Sequence, residues 1–221
     1  IEAGQHAAYA VGRKPVIEWL NAEDYEPATN KKSAEKLAEL KHFDGIVVPG
    51  GFGSRGVEGK INVIKFCREE KIPYFGLCYG MQLMTVEFAR HVAGLGGANT
   101  TEVDPKTAHP VIDIMPEQKK NMLEKNYGAT MRLGAYPAVL VDGTVAYEAY
   151  NNAVIARDGA SPSLRGAAAT KQSRMSVNKI SERHRHRYEV NPEYVDMLAK
   201  KGLVFSGSSP NRELMEIAEL P

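Results

Sequence analysis

The chain has 221 residues, enough to build one domain with a substantial core and too few for a second full domain. Its 28 lysines and arginines nearly balance 27 aspartates and glutamates, and the formal net charge of +1 argues against a general nucleic-acid surface, although a basic cluster runs from Arg183 to Arg187. No stretch approaches the ~20 consecutive apolar residues of a membrane span, the N-terminus lacks the basic-then-apolar layout of a signal peptide, and two cysteines in different settings make no disulfide framework. A soluble, cytoplasmic protein is expected, with no membrane or nucleic-acid partner.

In chain order, Ile1 to Gly12 carries a helical pattern stopped by glycine, and Pro15 to Leu20 reads as a short strand. Ser33 to Leu40 is an amphipathic helix with Leu37 and Leu40 inward. The apolar run Ile46-Val47-Val48 ends in Pro49-Gly50-Gly51-Phe52-Gly53, and a helix from Val57 to Lys71 leads to the strand Ile72 to Leu77. A helix from Met81 to Val92 follows, stopped by the glycines from Gly94 to Gly97. This alternation predicts an α/β protein: a three-layer α/β/α sandwich around a mostly parallel sheet, with its glycine-rich turns opening into one crevice. Further on, Ala138 to Val141 reads as a strand closed by a hairpin turn at Asp142-Gly143. Val204 to Ser206 and Met215 to Glu219 read as two strands joined by a Ser/Pro/Asn turn. Between Val141 and Val204, the stretch from Arg157 to Asn178, rich in Ser, Ala, Gly, Lys and Arg and without an aromatic residue, predicts a flexible insertion spanning 153–179.

The chemistry gathers at Gly76-Leu77-Cys78-Tyr79-Gly80, where a strand turns sharply into a helix. Small flanking glycines permit the strained turn that exposes its central residue, and the N-H groups and positive dipole end of the following helix favour a thiolate. This spacing is that of a nucleophile elbow carrying sulfur. Cys67, inside a helical pattern without a turn glycine, reads as core filling. The glycines after Val48 allow a backbone N-H close to a reacting carbonyl, and with the N-H of Tyr79 they form a candidate oxyanion hole from Gly51 and Tyr79.

The stretches Pro49-Gly50-Gly51-Phe52-Gly53-Ser54-Arg55-Gly56, Gly76 to Gln82, Ala98 to Glu102, His109 to Asp113, Met131 to Gly134 and Arg183-His184-Arg185-His186-Arg187-Tyr188-Glu189 closely resemble the glutamine amidotransferase domain of CTP synthase, a class I, triad-type amidotransferase. The resemblance covers nearly the whole chain except the 153–179 insertion. It implies hydrolysis of glutamine through a thioester on Cys78, with ammonia passed to a synthetase domain of the same polypeptide that converts UTP to CTP. ATP and Mg would serve that synthetase domain, none would be needed by the glutaminase domain, and GTP would act as allosteric effector. The full enzyme would be a tetramer. The resemblance further assigns Gly50, Phe52, Gln82, Glu102, Arg187 and Tyr188 to glutamine binding and Arg55 to the effector loop; no metal site is expected. Chemically, a guanidinium suits the α-carboxylate of a free amino acid and a carboxylate suits its α-ammonium.

The family's catalytic His-Pro-Glu segment does not occur within residues 1–221, which read as an amidotransferase domain trimmed at both ends. His184 and His186 lie inside a motif that the family uses in addition to its own catalytic histidine, so the base stays unassigned, and turnover by these residues alone is expected to fall by orders of magnitude. Two alternatives stand beside this reading: a noncatalytic regulatory or assembly module of the same fold, and another elbow-cysteine hydrolase such as a γ-glutamyl hydrolase.

Overall fold

The structure, a computed structural model, describes residues 1–27, 31–114, 132–157 and 178–220. Helix α1 (Glu2–Ala10) buries none of its residues, and Pro15 to Leu20 is not a strand: Val16 and Trp19 are more than three-quarters exposed, and no neighbour among the described residues supplies a hydrogen-bond ladder. A strand is defined by its pairing, so β-branched composition alone did not make one. Helix α2 (Lys31–Glu39) leads to strand β1 (Ile46–Val48), helix α3 (Val57–Glu70) to β2 (Tyr74–Gly76), and helix α4 (Tyr79–His91) follows at once. Strands β1 and β2 pair in parallel, the arrangement a crossover helix requires.

Beyond α4 come β3 (Asn99–Thr100), β4 (Pro110–Ile114), β5 (Arg132–Leu140), helix α5 (Val145–Arg157), β6 (Lys179–His186), β7 (Tyr188–Val190), helix α6 (Pro192–Lys200), β8 (Val204–Ser208) and β9 (Met215–Glu219). The α/β class stands, and its parallel pairing is seen at β1–β2 and β3–β4. The remaining pairs, β4–β7, β5–β6, β5–β8 and β8–β9, are antiparallel, giving three described sheets of two, three and four strands. Short returns such as the turn between β8 and β9 leave room only for antiparallel neighbours. The expected hairpin at Asp142-Gly143 instead delivers the chain into α5, whose first N-H groups, at Val145 and Ala146, donate to the Glu219 carboxylate. Of the expected 153–179 insertion, residues 158–177 lie outside the described residues, as does Met131; its two ends are the last turn of α5 and the first residue of β6.

The core sits around α4. Leu83, Val86, Phe88 and Ala89 are buried against Ile61 and Ile64 of α3, Val111 and Ile112 of β4, Val190 of β7 and Leu198 of α6. A smaller cluster of Tyr25, Leu40, Ile46, Val63 and Cys67 packs the outer side of α3. One charge is drawn into this packing: Glu87 of α4, fully buried, takes a fork of hydrogen bonds from Arg68 of α3 at 2.8–3.2 Å. That pair fixes the axial register of the two helices that carry the elbow and brace it.

Candidate active site

Cys78 occupies the residue before α4, with φ 52° and ψ −101°, a backbone region that side-chain-bearing residues seldom adopt. The expected elbow is therefore present, with the helix starting two residues earlier than its apolar pattern indicates. The flanking glycines are there for close approach. A Cβ on Gly80 would stand 2.3 Å from the Val48 carbonyl oxygen, and one on Gly76 would stand 2.6 Å from the Gly80 carbonyl carbon. The Leu77 N-H donates to Val48 O at 2.9 Å and the Tyr74 hydroxyl to Gly80 O at 2.9 Å, so the turn is stitched to both strands.

The thiol is exposed and faces a cleft of about 1900 Å³. Gly50, Gly51, Phe52, Gln82, Glu102, Arg187 and Tyr188 line the same cleft, so four separate stretches of sequence contribute to the space that the thiol faces. Cys67 is buried, which pushes its thiol up to about 11 and leaves it inert, in keeping with its reading as core. Cys78 is also raised above the ordinary thiol value. Desolvation is the main cause; the Tyr79 N-H against the sulfur opposes it, and the Glu189 and Glu102 carboxylates add to it.

Individual placements refine the expectations. Gln82 lines the cleft, yet its side-chain amide donates to Tyr188 O at 2.9 Å and its backbone N-H to Cys78 O at 3.1 Å, so it ties α4 to the strand that carries Tyr188. Glu102, half-buried, accepts from the Gly53 N-H at 2.9 Å, linking its carboxylate to the glycine turn. Arg187 sits at the bend between β6 and β7, half-buried, with its neighbour Tyr188 raised by burial and by Glu102. Phe52 is 88% exposed at the cleft edge. Arg55 lies apart: its guanidinium forks onto Glu23 at 2.8 and 2.9 Å, outside the lining of this cleft.

Sequence reasoning missed a buried ionic lattice beneath the site. Arg132 of β5 donates to Glu189 of β7 at 2.9 Å and to Glu216 of β9 at 2.9 Å, and its guanidinium lies over the Tyr136 ring, 4.5 Å from the centroid. His184 and His186 join through ring nitrogens at 2.8 Å, and His184 Nε2 stands 3.5 Å from Glu216. Burial is the main cause that lowers the His184 pKa and raises that of Glu189. The signal was available: in Arg183-His184-Arg185-His186 the arginines are exposed and the histidines turn inward, the period of 2 of a strand. Among the described residues, no group of His, Cys, Asp and Glu could hold a metal ion, and no helix is long and apolar enough to cross a membrane.

Residues 6–221 match the family described as glutamine amidotransferase class-I. CTP synthases from Caldanaerobacter subterraneus subsp. tengcongensis and Methanothrix thermoacetophila are 49% and 48% identical over 220 residues, each taking in 100% of this chain but only 35% and 34% of the relative. The chain therefore spans little more than a third of those relatives' length. A solved structure of the Trypanosoma brucei CTPS glutaminase domain with bound acivicin superposes at TM-score 0.81 with 31% identity, covering 100% of this chain and 73% of that one. With its length matched at this identity and its backbone following a glutaminase domain, the chain belongs to the class-I glutamine amidotransferases, in the branch formed by the glutaminase domains of CTP synthases.

Proposed function

We propose that this chain binds glutamine and forms the γ-glutamyl thioester on Cys78 that precedes its hydrolysis. The observation that carries this reading is the placement of Cys78 at a positive-φ elbow, facing a cleft it shares with Glu102 and Arg187. Arg187 takes the α-carboxylate of glutamine and Glu102 its α-ammonium, with Gly50, Phe52 and Tyr188 along the side chain and Gln82 holding Tyr188 in place. The Cys78 sulfur bonds to the carboxamide carbon, and the carbonyl π electrons move to oxygen, where the N-H groups of Gly51 and Tyr79 hold the oxyanion. Collapse re-forms the carbonyl and breaks the C–N bond; the nitrogen takes up the proton that the Cys78 thiol gave up and leaves as ammonia. Water then attacks the thioester, the C–S bond breaks, and glutamate and the free thiol are released.

His184 and His186 bond to each other through ring nitrogens and His186 donates to Tyr188 O, so neither is assigned as the base. Because the relatives are CTP synthases and the chain matches only about a third of their length, the ammonia is assigned to a synthetase portion that uses ATP and Mg to convert UTP to CTP, within a tetramer. Arg55, exposed on its own loop, is assigned to the response to GTP.

Incubation with a glutamine-derived diazo ketone followed by peptide mapping tests the reading. Modification at Cys78 that glutamine blocks is the expected result. Absence of labelling would favour a regulatory module, and labelling indifferent to glutamine would favour another elbow-cysteine hydrolase.

A further inference from the structure

Tyr79 follows the nucleophile, and its side chain does something its backbone role does not require. The ring is 1% exposed and passes under the glycine turn that ends β1. A Cβ on Gly51 would stand 3.6 Å from the ring's Cδ1, and the phenol hydroxyl donates to Gly53 O at 2.5 Å. On the other side of the same residue, the Gly53 N-H donates to Glu102 at 2.9 Å. Gly53 is thus gripped at both its N-H and its carbonyl, at φ +79°, where the turn needs a glycine. Lys60 holds the ring from its other side: its ammonium lies 5.7 Å from the ring centroid and donates to Arg55 O at 3.1 Å. Burial and the Glu102 carboxylate raise the Tyr79 pKa, so the hydroxyl keeps its proton and acts as a donor.

We propose that the Tyr79 side chain is a positioning residue for the oxyanion hole, its ring against Gly51 and its hydroxyl on the Gly53 carbonyl holding the 50–53 turn so that the Gly51 N-H stays aimed at the oxygen that develops on a carbonyl bound to Cys78. One residue then sets both walls of the hole: its own N-H is one donor, and its side chain orients the loop that provides the other. A buried phenol that loses its acceptor, or a turn that loses its donor, leaves the loop free to drift, and a displacement well under 1 Å is enough to spoil alignment with an oxyanion. Glu102 closes the device on the substrate side, since the carboxylate that grips Gly53 is the one assigned to the α-ammonium.

This inference rests on the amidotransferase reading, and its test separates the two. Glutamate γ-semialdehyde adds reversibly to a cysteine: sulfur bonds to the aldehyde carbon, the C=O π pair becomes the oxyanion lone pair, and the thiol proton is released or ends on that oxygen. The adduct places an oxygen in the hole, whereas alkylation by iodoacetamide, which displaces iodide at a methylene carbon, makes no use of it. For residues 1–221, Tyr79→Phe is expected to weaken the aldehyde adduct about tenfold. The iodoacetamide rate at Cys78 should stay at its wild-type value, the glutamine concentration that half-protects it should change less than the aldehyde affinity does, and loss of the Gly53 hydrogen bond should lower the thermal midpoint by only about 2–4 °C. Tyr79→Leu, which also lacks the hydroxyl and empties part of a buried core position, should lose at least as much aldehyde affinity and in addition lower the thermal midpoint. Wild-type aldehyde affinity in Tyr79→Phe overturns the proposal, and so does a parallel fall in aldehyde affinity, alkylation rate and thermal midpoint, which marks a purely structural residue. A wild-type protein that forms no aldehyde adduct, or one that glutamine does not displace, defeats the functional reading itself.

Discussion

Cys78 is held in a conformation that costs about 1–3 kcal/mol for a residue with a side chain, and the surrounding contacts over-determine it. The Gly80 and Met81 backbone leaves no room for a methyl group at Gly76, and Val48 leaves none at Gly80, so the Gly-x-Cys-x-Gly spacing is a statement about backbone clearance. The same crowding governs the thiol. Desolvation, together with the Glu189 and Glu102 carboxylates, outweighs the Tyr79 N-H, and the pKa of Cys78 rises where the helix N-terminus alone would lower it. At neutral pH the sulfur is therefore mostly protonated, and its alkylation should accelerate with pH through a midpoint above the ordinary thiol value. Glu102→Gln removes one carboxylate and should move that midpoint downward. The pH dependence of iodoacetamide labelling at Cys78 checks both; a midpoint below the ordinary value, or one that rises in the variant, contradicts this account. Such an acidity explains why a separate proton acceptor is needed for turnover.

Strand β6 shows how an element can hide in plain composition. Its run of arginines and histidines lacks the apolar alternation that marks a strand, yet the polar alternation has the same period, with His184 and His186 inward and Arg183 and Arg185 outward. The inward pair is tolerated because the two rings bond to each other, His186 donates to Tyr188 O, and the charges of Arg132, Glu189 and Glu216 from three other strands lie around them. Arg132 is the keystone of that lattice, 8% exposed and bonded to both carboxylates. Arg132→Met keeps much of the volume but strands two buried anions, a change expected to cost about 3 kcal/mol or more. Denaturant unfolding of the variant measures it, and a loss under about 1 kcal/mol would show that the lattice is electrostatically slack. Strands β4 and β7 escaped sequence reading for a related reason: each is short, and each exists through pairing with the other.

At the scale of the molecule, the packed body begins after the first twenty residues. Helix α1 has no buried residue, and Val16, Ile17, Trp19 and Leu20 are exposed, so this stretch contributes little to the core around α4. Removal of residues 1–13 is therefore expected to change the thermal midpoint by no more than about 2 °C, read by calorimetry; a fall of ten degrees would reveal packing that the exposure pattern denies. The sequence by itself determined the helices α1 to α4, the β1 and β2 strands, the elbow and its cysteine, and the family, because these rest on local periodicity, on glycine at crowded turns and on contiguous motifs. Only the tertiary structure decided that the C-terminal strands run antiparallel, that Gln82 braces a strand, that Arg55 stands outside the cleft, and that Tyr79 and Glu102 grip one glycine at its carbonyl and its N-H. Those facts depend on which distant segments meet across the fold, and residue order constrains such meetings only through the packing of the whole chain.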